Sequence, residues 1–231
     1  ANAVPELDKV AKRVALTIMI DPGRRVYVRR INISGNTRSR DEVVRREMRQ
    51  LEGAYYDTDK IQKSKQRLDR LQFFSEVEVE TPAVPGTSDQ VDVNFKIKEK
   101  PTGAITIGAG FSSTEKLILS GSITQQNIFG SGKHIAAQIS TSRISRNIAL
   151  SYTNPYYTVD GVSRGFDIYD RNTDASQLGL GYYTTKTIGG GVRYGVPLTE
   201  VDNLGFGLGA ENTKLGIDQN SPQSYQNFVN I

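Results

Sequence analysis

The stretch TGAITIGAGFSSTEKLILSGSITQQNIFGSGKHIAAQISTSRISRNIALSYTNPYY, residues 102–157, decides the fold of this chain. Apolar and polar residues alternate along it, as where Leu117, Leu119 and Ile123 are interleaved with Ser120 and Ser122. A period of two is typical of β-strands that have one apolar and one polar face. The polar residues are small and uncharged, which suits a wet lumen, and the apolar face suits lipid. The pattern therefore favours strands of a membrane β-barrel, although a β-sandwich produces the same alternation.

The alternation continues beyond this stretch towards the last residue. We predict strands at residues 102–111, 116–127, 132–143, 146–154, 162–171, 179–197 and 201–216. Bacterial membrane barrels need about eight strands to close. Six or seven strands are too few, so we expect an open sheet with two unpaired edges, from a piece of a longer protein.

Composition divides the chain in two near Lys100 and Pro101. Residues 1–100 carry 20 Lys and Arg, 16 Asp and Glu, and 4 Gly, whereas residues 101–231 carry 9, 9 and 18. A charged, glycine-poor segment thus precedes a neutral, glycine-rich one. We place a domain boundary here, with residues 101–231 forming the N-terminal part of the barrel.

Several classes of function are disfavoured by what the sequence lacks. There is no cysteine, and His134 is the only histidine, so we expect no metal site, no catalytic site and no cofactor. The basic residues interleave with acidic ones and lack a pattern of aromatic residues for stacking, so we expect no nucleic-acid partner. The longest apolar run, residues 14–20, is interrupted by Thr17 and is too short for a transmembrane helix.

The first hundred residues predict a small α+β domain after a short leading segment. Residues 1–23 contain one strand-like run and the turn Asp21-Pro22-Gly23, and we interpret them as the last strand and linker of a preceding module. Residues 24–100 show the order β-α-α-β-β. Ser39 and Glu42 have the spacing of a capping box at the start of a first helix that ends near Gly53.

The order of short motifs in this region resembles a polypeptide-transport-associated (POTRA) domain. The motifs are Ile33-Ser34-Gly35-Asn36, the Arg-rich run 45–49, Gly53, the helix start at Asp57, Arg67-Leu68 and Phe73-Phe74-Ser75-Glu76-Val77. Residues 126–132 (QNIFGSG) and 153–161 (TNPYYTVDG) resemble the first periplasmic turns of outer-membrane protein assembly factors. The chain is therefore similar, from about residue 12 to its end, to the last POTRA domain and first barrel strands of that family.

The resemblance implies a location, a function and partners. Residues 1–100 would lie in the periplasm and the barrel strands in the outer membrane, with outer loops at 112–115, 143–145 and 172–178. Turns 128–131, 155–161 and 198–201 would face the periplasm. The implied function is assembly and insertion of β-barrel proteins, without an enzymatic reaction. The implied partners are unfolded outer-membrane proteins, accessory lipoproteins and outer-membrane lipid.

Three groups of residues are candidate sites. The first predicted barrel strand has few apolar side chains and many glycines, so we expect its pairing with the closing strand of the barrel to be weak. It is either a lateral gate, whose edge templates a client strand, or merely a short edge strand. The strands at residues 91–98 and 77–80 of the POTRA sheet are further candidate edges for a client, or else they are ordinary sheet structure. The basic helix face is either a dock for an acidic partner or a solvated surface. The gate comprises Gly103, Ile105, Ile107, Gly108 and Gly110; the POTRA edge comprises Val91, Val93, Phe95 and Ile97; the partner face comprises Arg45, Arg46, Arg49, Glu52, Arg67 and Arg70.

Two other functions stay open at this point. A two-partner-secretion exporter is built from the same parts, and the number of POTRA modules in a longer chain would discriminate the two. A passive porin or adhesin barrel is disfavoured by residues 24–100, because a simple pore needs no periplasmic module. An enzyme barrel is disfavoured because no catalytic constellation is present.

Overall fold

A computed structural model of the chain describes residues 2–8, 13–19, 25–178, 183–217, 221 and 223–229. Strands β1 (Asn2–Asp8) and β2 (Arg13–Met19) pair in antiparallel orientation. The sequence predicted a single strand here, and this was wrong because Pro5 and the acidic residues of β1 are poor strand signals. The predicted turn at residues 21–23 lies outside the described residues. Membership of a preceding module stays a prediction.

The predicted β-α-α-β-β order of the POTRA-like domain (residues 25–100) is confirmed. Its elements are β3 (Tyr27–Ser34), α1 (Asp41–Arg45), α2 (Thr58–Arg70), β4 (Phe74–Glu80) and β5 (Gln90–Glu99). The helices cover one face of the three-stranded sheet. The core between them is apolar and includes Val28, Ile31, Val43, Val44, Leu68, Phe74, Val77, Val93, Phe95 and Ile97.

Strand β5 lies at the centre of this sheet, in the order β3-β5-β4. It runs parallel to β3 and antiparallel to β4, so both of its sides are hydrogen bonded. The prediction that Val91, Val93, Phe95 and Ile97 form an exposed edge is therefore wrong. Their alternation reflects burial instead, since Val93, Phe95 and Ile97 belong to the core. The edges of this sheet are β3 and β4.

The first helix is much shorter than the sequence predicted. It spans only Asp41–Arg45, its N-cap is Arg40, and no side chain caps it. The predicted capping box is wrong because both polar groups of Ser39 are engaged elsewhere: its N–H donates to Glu99, and its hydroxyl accepts a bond from Asn127. Helix α2 starts as predicted, with Asp57 Oδ1 accepting from the backbone N–H groups of Asp59 and Lys60.

Seven antiparallel strands follow in one sheet, each paired with its sequence neighbours, which confirms the upper end of the predicted strand number. They are β6 (Gly103–Ser112), β7 (Lys116–Gln125), β8 (His134–Thr141), β9 (Ser145–Asn154), β10 (Ser163–Asp174), β11 (Tyr183–Pro197) and β12 (Asn203–Ile217). Among the described residues the sheet is open, and β6 and β12 are its terminal strands. We call it the large sheet.

The two faces of the large sheet follow the alternation in the sequence. Cross-strand pairs such as Ile105 with Ile123 and Ile139 with Ile148 place apolar side chains together on one face. Many of these side chains are exposed, as for Ile107 at 85%. A short helix, α3 (Gln223–Val229), follows the sheet and was not predicted. None of the described helices is long and apolar enough to cross a membrane.

Candidate functional site

The three short turns at one end of the large sheet all meet the POTRA-like domain. The first turn (residues 126–133) joins β7 to β8, the second (155–162) joins β9 to β10, and the third (198–202) joins β11 to β12. Each contributes a side chain or backbone group that bonds to the segment between residues 39 and 67. We call this contact region the domain junction.

Glu47 is the centre of the domain junction. Its side chain is buried, with the residue only 2% exposed. Arg67 donates from Nε to Glu47 Oε2 at 2.9 Å, and the Tyr156 hydroxyl donates to the same oxygen at 3.2 Å. Arg67 Nη2 donates in turn to the Tyr156 hydroxyl oxygen at 2.9 Å. A buried carboxylate needs such charge-assisted partners, and the second turn adds a donor to Oε2. Oε1 has no hydrogen-bond partner among the described residues, although Arg46 Nε lies 3.7 Å from it.

Burial and charge around Glu47 change the acid–base properties of its neighbours. Burial raises the pKa of the Tyr156 phenol, and the nearby Glu47 carboxylate adds to this, so the hydroxyl stays protonated and remains a donor. Burial lowers the pKa of the Arg46 guanidinium, whose Cζ lies 4.2 Å from the centroid of the Tyr156 ring. The ring thus lies between one arginine at its face and another at its hydroxyl.

The third turn adds a second carboxylate, which is more exposed. Glu200 accepts from Arg49 Nε at 2.6 Å and from Arg67 Nη1 at 2.7 Å. The hydrogen bond from Arg49, aided by the charge of Arg67, lowers the pKa of Glu200. Arg67 therefore bridges a buried carboxylate of its own domain and a surface carboxylate of the large sheet.

The first turn joins the POTRA-like domain through backbone and amide groups. Asn127 Nδ2 donates to Ser39 Oγ at 2.7 Å, and both residues are buried. The Arg40 N–H donates to the Gly130 carbonyl at 3.0 Å. Gly130 has φ +69°, and a Cβ there would collide with the Arg38 carbonyl oxygen, so the close approach needs glycine.

Glu99 supports this contact from the last strand of the POTRA-like domain. Its carboxylate accepts bonds from the N–H groups of Arg38 and Ser39 and from the Thr37 hydroxyl. Burial alone would raise the pKa of Glu99, but these hydrogen bonds lower it overall. Because Glu99 stands directly before the linker to β6, the start of β6 is fixed relative to the first turn.

The predicted partner face divides into two sets. Arg46, Arg49 and Arg67 are engaged at the domain junction, so they pack against the turns of the chain itself. Arg45 and Glu52 lie away from it, each side chain 48% exposed, with their charged groups 3.8 Å apart. Arg70 follows on α2 and is exposed. The sequence combined these residues because all of them lie on or beside the two helices.

Strand β6 presents one set of backbone groups to the free edge. Gln126 N–H donates to the Thr102 carbonyl, which marks this pair as hydrogen bonded. Bonded and non-bonded pairs alternate in an antiparallel ladder, so Gly108 and Gly110 bond to β7 through the backbone. Gly103, Ile105 and Ile107 therefore turn their N–H and C=O groups to the side away from β7, where the described residues provide no partner strand. The predicted gate residues thus divide into three edge residues and two ladder residues.

The sequence did not identify Glu47, Tyr156, Glu200 or Asn127 as site residues. A signal for two of them was present, because Asn127 and Tyr156 lie within the turn motifs quoted above. Glu47 and Glu200 had none, since a carboxylate beside arginines is usually solvated. In the parts of the chain that the structure describes, no three His, Cys, Asp or Glu residues come together as metal ligands.

The matches to known families divide the chain into the same two parts as the fold, the POTRA-like domain and the large sheet. Residues 26–100 match the family described as POTRA, surface antigen variable number repeat. Residues 127–229 match the Omp85 superfamily domain. The gap between the two matches contains strands β6 and β7.

Individual proteins match over nearly the whole chain. The outer membrane protein assembly factor BamA of Neisseria meningitidis serogroup B is 41% identical over 94% of this chain and 28% of its own length. BamA of Nitratidesulfovibrio vulgaris is 32% identical over 87% of this chain and 25% of its own length. The crystal structure of BamA from Haemophilus ducreyi lacking POTRA domains 1–3 superposes with a TM-score of 0.79 and 36% identity, covering 99% of this chain and 43% of that one. The chain spans about a quarter of the length of these curated relatives.

Proposed function

We propose that this chain, which belongs to the Omp85 superfamily and carries a POTRA domain, acts in the assembly and insertion of β-barrel proteins into the outer membrane. The protein is an outer-membrane protein, with its POTRA domain in the periplasm. The observation that supports the proposal best is β6 itself, the glycine-rich first strand of the large sheet, which directly follows a linker that the domain junction holds in place.

The side of β6 that faces away from β7 is suited to pair with an incoming strand. Gly103, Ile105 and Ile107 present backbone donors and acceptors, and strand addition uses such groups without requiring a particular client sequence. The side chains of Ile105 and Ile107 are exposed on the apolar face. An incoming strand could therefore bond to the sheet while its own apolar residues remain in lipid.

The glycines of β6 weaken the pairing of this strand with β7. Gly108 and Gly110 contribute no side chain to cross-strand packing, and a strand with few large side chains has a poorly specified register. A weakly specified register lets the edge accept client strands of different sequence. The preformed edge would lower the entropy cost of nucleating the client sheet.

The domain junction would keep the POTRA domain close to this edge. Arg67, Tyr156 and Glu47 form a buried, mutually bonded cluster that spans the two parts of the chain. Arg45, Glu52 and Arg70 take no part in the junction contacts, are exposed, and are the residues available to accessory lipoproteins. The arginines at the junction hold the domain, and these outer residues recruit partners.

Cysteine cross-linking tests the proposal, and residues 1–231 contain no cysteine of their own. Any cysteine elsewhere in the gene product is first replaced by serine. The protein as its gene encodes it would carry either Ile107→Cys in β6 or Ile139→Cys in β8, on the same apolar face. A urea-unfolded outer-membrane protein with one cysteine in its terminal strand would be diluted into liposomes that contain each variant. We expect cross-links from position 107 and few from position 139. Equal yields, or none from position 107, would contradict the proposal.

A further inference from the structure

Arg164 occupies an unusual place on the large sheet. It is the second residue of β10, at the end next to the second turn, and its cross-strand neighbours are Asn154 and Tyr194. The alternation along β10 places it on the same face as Phe166 and Ile168. This is the apolar face, which contacts lipid in an outer-membrane protein. A cation at this position needs an explanation.

Aromatic rings surround the guanidinium. Its Cζ lies 3.7 Å from the centroid of the Tyr157 ring and 5.1 Å from that of Phe166. The Tyr157 ring packs edge-on against Tyr194 at 6.5 Å, and Tyr194 stacks on Phe206 at 5.6 Å. Tyrosine and phenylalanine at this end of the strands form the kind of aromatic band that lies at the level of lipid headgroups. Arg164 therefore sits at headgroup depth.

Among the residues that the structure describes, no anionic group forms an ion pair with Arg164. Its Nε is shielded from solvent and has no hydrogen-bond partner among these residues. Two other arginines of the large sheet differ in this respect. Arg146 pairs with Asp170 at 3.7 Å on the same face, and Arg193 pairs with Asp167 at 3.1 Å on the other face.

We propose that Arg164, held by Tyr157, binds the headgroup phosphate of a phospholipid in the periplasmic leaflet of the outer membrane. An unpaired charge on a lipid-facing surface is costly, so an anion is expected beside it. A guanidinium is planar and presents two parallel donors, which fit two phosphate oxygens. The ring of Tyr157 covers one face of the guanidinium, and Nε is shielded, so the phosphate would bind to the two Nη atoms. Tyr156, the residue before Tyr157 in the same turn, belongs to the domain junction, so the bound lipid would lie beside the domain junction.

The experiment is lipid retention by the protein as its gene encodes it, purified in detergent with phosphatidylglycerol and observed by native mass spectrometry. Arg164→Gln removes the charge. Tyr157→Leu removes the supporting ring in an exposed turn, so it tests the site even if Arg164→Gln does not fold. Arg146→Gln is the matched control, because that arginine already has a protein partner. Inorganic phosphate is added in a separate arm.

We expect Arg164→Gln to lower the affinity for phosphatidylglycerol about fivefold, as loss of one basic residue near an anionic headgroup does. Tyr157→Leu should lower it by a smaller factor, and Arg146→Gln should leave it unchanged. Inorganic phosphate should not displace the lipid. Equal retention by the wild type and both site variants would overturn the proposal, as would an equal loss in Arg146→Gln. Displacement by inorganic phosphate would show a general anion site instead of a lipid site.

Discussion

The Tyr156 hydroxyl donates to the Glu47 carboxylate at 3.2 Å, although the two residues are 109 positions apart in the chain. One belongs to the turn between β9 and β10, and the other follows α1 in the POTRA domain. Arg67 bonds to both of them. A single arginine thus couples the periplasmic domain to the membrane-embedded sheet through a buried carboxylate.

Removing the charge of Glu47 should weaken this coupling strongly. Glu47→Gln leaves Arg46 and Arg67 partly buried without their shared anion, which costs about 3 kcal/mol for a buried pair broken on one side. Hydrogen exchange of the α2 amides, followed by mass spectrometry, would report the loss as faster opening. Glu200→Gln is the matched control. Its carboxylate is half exposed, so we expect a change below about 1 kcal/mol. Equal effects of the two variants would contradict the central role of Glu47.

The close contact at Gly130 leads to a second prediction. Gly130→Ala should destabilise the docking of the first turn by about 1–3 kcal/mol, because the residue has positive φ and its Cβ would meet the Arg38 carbonyl. The Arg40 amide, which donates to Gly130, should then exchange faster. Gly110→Ala is the control, since a Cβ there meets nothing within 4 Å. Unchanged protection of Arg40 would show that the turn is not fixed by this contact.

Acidification should remove the stabilisation that the Glu200 carboxylate gives to the domain junction. Its pKa in the folded protein is lowered, first by the bond from Arg49, so the ionised form is the stabilised one. This stabilisation is fully present at pH values above 4.5, the ordinary pKa of a glutamate carboxyl group. It is lost as the pH falls through the lowered pKa that Glu200 has in the folded protein. The difference in α2 opening between the wild type and Glu200→Gln should therefore vanish at low pH. A difference that persists at pH values well below the carboxyl range would exclude an ionic origin.

The strands of the large sheet could be predicted from the sequence because their alternation is local. Leu117, Leu119 and Ile123 mark β7 without reference to any other strand. The turns were also recognisable, since Asn127 and Tyr156 lie in short motifs. The start of α2 followed from Asp57, whose carboxylate bonds to backbone groups only two and three residues away.

The features that could not be predicted depend on distant partners. Both β4 and β5 alternate, and nothing within either strand indicates that β5 pairs on both sides while β4 is an edge. In the sequence, Glu47 stands among arginines, a pattern that is typical of a solvated surface residue. Its burial requires Tyr156, which the fold brings to it from the second turn. Ser39 had the spacing of a helix cap, but Glu99 and Asn127 compete successfully for its groups.

The rate at which the protein folds a client tests the role of the β6 edge most directly. Ile107→Pro removes one backbone donor from the free side of β6, whereas Ile107→Ala keeps that donor and shortens the same side chain. A urea-unfolded outer-membrane protein would be diluted into liposomes containing each variant and followed by its heat-modifiable gel shift. The same shift of each variant would verify its own folding.

We predict that the wild type and Ile107→Ala accelerate client folding over empty liposomes. Ile107→Pro should be about fivefold slower than Ile107→Ala, since one backbone hydrogen bond contributes about 1 kcal/mol. Equal rates for the two variants would contradict templating by the β6 edge. Client folding no faster than in empty liposomes, together with ion conduction by the wild type, would contradict the assembly function and favour an exporter or a pore.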